Sequence, residues 1–224
     1  MPAPSGFKQA ERENTGVLAS AEKRTLIRIA ESLPKWVNSD HLTGLGFVSL
    51  ILAGASYWYA SVNRVGLLLV ILFLITNWFG DSLDGTLARV RNKQRPRYGF
   101  YVDHILDAIC MFLLVLGMAQ STYITPAVAY AFLIAYLLLS IEIFLATYCI
   151  GKFHLSYWNF GPTELRILLS VGNLVALWRP YSTIFGQRYL LFDVGFSIGT
   201  AVLALILLQA TGKHTIQLYK EETK

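Results

Sequence analysis

Four aspartates have the types and spacing to do chemistry together. Asp81, Asp84 and Ala88 stand at i, i+3 and i+7, one face of a helix. Gly99, Asp103 and Asp107 stand at i, i+4 and i+8, again one face. The full pattern is Asp81-x2-Asp84-Gly85-x2-Ala88-Arg89-x9-Gly99-x3-Asp103-x3-Asp107. A lone aspartate near a helix end is usually just solvated, but four at these spacings point to a shared site. Carboxylates crowded into a low dielectric repel, and some must protonate unless cations join them. All-oxygen ligands select hard ions, Mg²⁺ or Mn²⁺, with a substrate phosphate completing the shell. Gly85, Ala88 and Gly99 leave room for a ligand to approach both backbones, and Arg89 can pair with a phosphate.

The elements that carry these acids follow from composition. Of 224 residues, 54% are hydrophobic and only 15% charged, against about 25% charged in soluble domains. The mean hydropathy is +0.48. These values exclude an ordinary soluble enzyme, a disordered chain and a nucleic-acid binder, despite the net charge of +5. Two cysteines exclude a disulfide scaffold. The remaining class is an all-α integral membrane protein, and acids inside such a chain are functional suspects.

Six apolar segments lie near 42–62, 65–91, 99–120, 125–149, 163–179 and 189–211. They divide the chain into a tail with an amphipathic juxtamembrane helix (1–40), a six-helix transmembrane catalytic unit (41–212) and a C-terminal tail (213–224). Residues 1–20 read as a loose tail without the apolar core of a signal peptide. Residues 21–37 place Leu26, Ile29, Ala30 and Leu33 on one helical face, which suits either the membrane interface or the protein's own surface. Six Lys/Arg precede the first span, five surround the second loop, two flank the fourth loop and three lie in the C-terminal tail. These sixteen share one side, whereas only Arg64, Arg179 and Arg188 fall on the other. The positive-inside rule then places both termini and the acid cluster in the cytoplasm. Spans two and three are expected to be antiparallel neighbours whose facing ends bring the aspartates to one depth.

At these residues the chain resembles a known family. The pattern DSLDGTLAR…G…D…D, residues 81–107, is similar to the signature of the CDP-alcohol phosphotransferases, with every fixed position filled. The stretch LPKWVNSDHLTGLG resembles the family's approach to its first helix, with Asp40-His41 where Pro-Asn is customary. The resemblance implies transfer of a substituted phosphate from a CDP-linked donor, such as CDP-diacylglycerol, to an alcohol, with release of CMP. It implies that Asp81, Asp84 and Asp103 hold one or two divalent ions. Asp107 would contact the second ion or act as general base. Asp84, Gly85, Ala88, Arg89 and Gly99 would line the CDP pocket. It also implies a homodimer in a bacterial-type cell membrane. No Ser-His-Asp or Cys-His arrangement competes, so direct in-line attack is the expected route.

The acceptor is less legible. Lys152, His154 and Arg166 fall near the cytoplasmic ends of spans four and five, where they could form a basic pocket beside the metals; the resemblance implies that such a pocket accompanies a phosphorylated acceptor, inositol phosphate or glycerol phosphate. Arg166 could equally snorkel and pair with Glu164. Serine, choline and ethanolamine remain open as acceptors. Glu142, in span four, is read either as an acceptor contact or as a pair for Lys152 or another helix. Asp193 is expected to be solvated, His104 to face away from Asp103, and Arg91, Lys93, Arg95 and Arg97 to serve topology and lipid attraction. A membrane prenyltransferase would carry a second aspartate-rich motif, and none follows residue 107. An ion-coupled transporter would favour internal repeats and midplane acids.

Overall fold

The computed structural model describes residues 12–13, 19–150, 153–154 and 162–223. Seven helices dominate it: α1 (Ala19–Ser32), α2 (Ser39–Ala60), α3 (Val65–Val90), α4 (Pro96–Ala119), α5 (Pro126–Ile150), α6 (Pro162–Trp178) and α7 (Leu191–Glu222). Proline opens α4, α5 and α6, where its missing N–H costs nothing and its fixed φ suits the first turn. A two-residue parallel pairing joins β1 (Arg12–Glu13) to β2 (Phe153–His154). A hairpin of β3 (Tyr181–Ile184) and β4 (Gln187–Leu190) connects α6 to α7.

Five of these helices, α2, α3, α4, α5 and α7, are long and apolar enough to cross a membrane. At 17 residues, α6 is about 25 Å long. Five of the six expected segments fall on these helices and the other, 163–179, on the shorter α6; α7 runs on to Glu222, through the stretch read as a tail. The helix expected over 21–37 stops at Ser32, ahead of Pro34.

The order around the bundle is α2, α3, α6, α7, α5, α4. Here the structure departs from the sequence reading. The two acid-bearing helices are not packed neighbours: α2 lies against both α3 and α4, while α3 and α4 scarcely touch. Small residues cause this, as they do between helices in lipid, where close backbone approach replaces the hydrophobic driving force. A Cβ on Gly80 would sit 2.6 Å from the Leu42 carbonyl oxygen and 2.7 Å from the Gly46 nitrogen. A Cβ on Gly117 would sit 2.0 Å from the Gly54 oxygen.

The main core gathers at the bundle end away from the aspartates, around Tyr57, Leu67, Val70, Leu114, Met118, Phe132 and Phe196. Asp193 belongs to this end and is not merely solvated. Its carboxylate accepts from the Thr125 backbone N–H at 2.6 Å and from the Thr125 hydroxyl at 2.7 Å, tying the start of α5 to α7. At the other end α1 lays Leu26 and Ala30 on Leu83 and Leu87 of α3 and on Leu42 of α2. Arg91 holds that arrangement, donating to the carbonyls of Leu33 and Pro34 at 3.0 Å each and also to that of Val37. Arg91 is therefore a clamp on the α1–α2 connection, beyond the topological duty read from sequence. Arg95 likewise pairs with Asp40, and that contact pushes the Arg95 guanidinium above its usual pKa.

Candidate metal and substrate site

The open end of the bundle carries a cleft walled by α2, α3 and α4. All four aspartates line it, with Thr43, Asn77 and Cys110. Asp81, Asp103 and Asp107 each bring a carboxylate oxygen into one group whose members lie within 4.8 Å of one another. Asp81 and Asp103 are half-buried and Asp107 is exposed. Asp84 sits one turn from Asp81 and is held from α2: Thr43 Oγ1 donates to Asp84 Oδ2 at 2.6 Å, and Ser39 Oγ donates to the Asp84 carbonyl at 3.0 Å.

The start of α2 is built for this. Asn38 Oδ1 accepts from the His41 N–H at 2.9 Å, and the His41 ring accepts from the Asn38 N–H at 3.4 Å, closing a capping box. His41 and Asp40, the departures from the family's usual Pro-Asn, thus have structural duties: one caps α2 and the other pairs with Arg95.

The donor set fits a hard divalent ion. An octahedral Mg²⁺ with oxygens at about 2.1 Å sets opposite ligands about 4.2 Å apart, so small carboxylate rotations close the observed spread. Arg166 of α6 donates to Asp81 Oδ2 at 2.6 Å. Four carboxylates lining one cleft crowd negative charge together, which a divalent ion relieves.

The remaining sequence-derived residues sort differently. Arg89 folds back along α3, donating to Thr86 Oγ1 at 3.0 Å. Gly85 and Gly99 leave space: a Cβ at Gly85 would meet only Arg89, at 3.5 Å, and one at Gly99 would meet nothing within 4 Å. Ala88 is half-buried on the same helix as Gly85. Arg166 joins the site through Asp81. Glu142 does not line the cleft; its Oε1 lies 2.5 Å from His214 Nδ1 of α7. Lys152 lies outside the described residues, as does the side chain of His154. His104 turns to the Phe100 carbonyl at 2.6 Å and stacks on the Phe100 ring. Thr43, Ser39 and Asn77 were not singled out from sequence. The only available signals were a Thr in the HLTGLG approach and an Asn inside an apolar run.

A family model described as CDP-alcohol phosphatidyltransferase matches residues 36–208. Among solved structures, the fold is similar to that of a phosphatidylinositol phosphate synthase from Mycobacterium tuberculosis, determined with CDP-DAG bound. The TM-score is 0.63 at 17% identity, covering 85% of this chain and 94% of that one. No curated protein sequence matches the chain.

Proposed function

The chain belongs to the CDP-alcohol phosphatidyltransferase family, and from that premise we propose that it moves the phosphatidyl group of CDP-diacylglycerol to a phosphorylated alcohol such as inositol phosphate or glycerol phosphate. The convergence of Asp81, Asp103 and Asp107 carries this reading. Phosphoryl transfer needs charge neutralised on a pyrophosphate and a hydroxyl activated in line with it.

Asp81, Asp84, Asp103 and Asp107 would hold Mg²⁺ or Mn²⁺, and a bound ion would neutralise charge on the donor pyrophosphate. Thr43 and Ser39 fix the orientation of Asp84. Gly85, Ala88 and Gly99 admit the cytidylyl group, and Arg89 turns from Thr86 to pair with its phosphates. Asp107, the exposed member of the trio, takes the proton of the attacking acceptor hydroxyl. The new bond joins that oxygen to the phosphatidyl phosphorus, and the bond from that phosphorus to CMP breaks. Arg166 brings positive charge to the cleft edge, which favours an acceptor carrying its own phosphate, with Lys152 and His154 proposed beside it.

The sixteen-to-three distribution of basic residues supports cytoplasmic termini and six spans, with α6 as the short fifth. It also supports an interfacial position for α1. The homodimer and the bacterial-type membrane rest on the resemblance alone.

The test incubates purified protein with CDP-diacylglycerol, Mn²⁺ and a panel of alcohols, measuring CMP and identifying the lipid by mass spectrometry. Inositol phosphate or glycerol phosphate is expected to be the best acceptor. Preference for serine, choline or ethanolamine removes the phosphorylated-acceptor assignment. Release of inorganic pyrophosphate in place of CMP removes the reaction.

A further inference from the structure

Asn77 is an anomaly on α3. It lies in the apolar run 65–80, and only 6% of its surface is exposed. Its amide is half used. Nδ2 donates to the Gly46 carbonyl at 2.9 Å. A carbonyl only accepts, so the atom facing Gly46 must be the nitrogen, and the oxygen is the atom left over. No group among the described residues lies within hydrogen-bond reach of Asn77 Oδ1. A buried acceptor without a partner loses its hydration uncompensated and destabilises the fold, so its retention needs a reason.

Position supplies the reason. Asn77 is four residues before Asp81, on the same helical face one turn deeper, and it lines the cleft with the four aspartates. The cleft has a volume of about 20 Å³, room for a water molecule. Asn173 offers a contrast: its Oδ1 is also unpartnered, but its Nδ2 bonds Tyr57 within the apolar core, away from the carboxylates. Glu142 Oε2 is likewise unpartnered but outside the cleft, so among the described residues only the Asn77 oxygen of the three lies at the cleft lining where a hydrated cation would be held. Mg²⁺ keeps several of its waters when protein-bound, and those waters need acceptors.

We propose that Asn77 is a positioning residue of the metal centre, its Oδ1 accepting a hydrogen bond from a water in the hydration shell of the ion held by Asp81, Asp103 and Asp107. This rests on the divalent-ion reading above. The amide then has two jobs, binding α2 through its nitrogen and orienting the ion's water through its oxygen.

The test measures Mn²⁺ binding by electron paramagnetic resonance on full-length protein in nanodiscs, alongside thermal unfolding in EDTA. The proteins are wild type, Asn77→Ala, Asn77→Asp and Asp81→Ala. Asn77→Ala is expected to weaken Mn²⁺ binding about 10–100-fold, the usual cost of losing an outer-shell partner. Asn77→Asp loses the donor to Gly46 and unfolds at a lower temperature in EDTA, yet keeps an acceptor oxygen and binds Mn²⁺ at least as tightly as wild type. Wild-type affinity in Asn77→Ala, or equal weakening in both variants, makes Asn77 a helix clamp only and overturns the proposal. If Asp81→Ala also binds Mn²⁺ like wild type, the metal centre itself is misassigned, a separate and recognisable failure.

Discussion

Replacing Gly85 by alanine separates a glycine kept for a ligand from one kept for packing, with Gly80→Ala as its counterpart. At Gly85 the added methyl would touch only the Arg89 guanidinium, at 3.5 and 4.0 Å, an ordinary contact with a flexible group. Alanine is favoured over glycine in a helix interior by about 1 kcal/mol, so the folded protein should be unharmed or slightly stabilised. At Gly80 the same methyl would lie 2.6 Å from a backbone oxygen and 2.7 Å from a backbone nitrogen of α2. Carbon contacts settle at about 3.5–4.0 Å, so α2 and α3 must part by about 1 Å. Overpacking of that kind costs about 1–3 kcal/mol, and a 1 Å misplacement at a reacting centre can cost about 100-fold in rate. Thermal unfolding in nanodiscs and calorimetric titration with a CDP-linked lipid would be compared for both variants. Gly85→Ala should unfold at or above the wild-type temperature but bind the donor at least about tenfold more weakly, or 1.4 kcal/mol. Gly80→Ala should lose stability and activity together. Wild-type donor affinity in Gly85→Ala would refute the idea that its open face is a binding surface.

Three further outcomes follow from the same geometry. Asp107→Asn should lower the rate of CMP release by about 10²–10⁴-fold, the span of a general base, while donor affinity changes little; parallel loss of donor binding makes Asp107 chiefly a metal ligand. Thr43→Val removes the 2.6 Å hydrogen bond to Asp84 and should cost about 1 kcal/mol of donor or metal binding, read as a roughly fivefold rise in the Mn²⁺ concentration for half-maximal activity, with an unchanged unfolding temperature. Arg91→Ala frees the carbonyls of Leu33, Pro34 and Val37 and should raise amide hydrogen exchange across residues 23–37 while leaving exchange in α5 and α7 as it was.

The aspartate pairs were legible in the sequence because each lies within one helix, where spacing alone decides which side chains share a face. Long apolar runs located the membrane helices for the same local reason. What sequence spacing could not convey was the insertion of α2 between the acid-bearing helices, since that depends on backbones meeting at Gly46, Gly80, Gly54 and Gly117. The partners of long-range pairs were equally hidden. Glu142 meets His214, 72 residues away, and Asp193 meets Thr125, 68 residues away. Arg91 looked like one more basic residue in a basic loop, because its acceptors are backbone carbonyls, which no composition reveals. Asn77 was passed over because one amide in an apolar run carries no period.

With α3 and α4 scarcely touching, the distance between the two aspartate pairs is gauged by a third helix that contributes no aspartate to the trio. α2 works as a common ruler: α3 is referenced to it at Gly46 and α4 at Gly54, two turns along. A slip of either helix by one residue along that ruler would shift its acids by about 1.5 Å against oxygens that must share one ion. Substitutions in α2 that never approach substrate should therefore detune the metal centre. A screen for loss of function in this chain should recover α2 glycines as readily as the aspartates themselves.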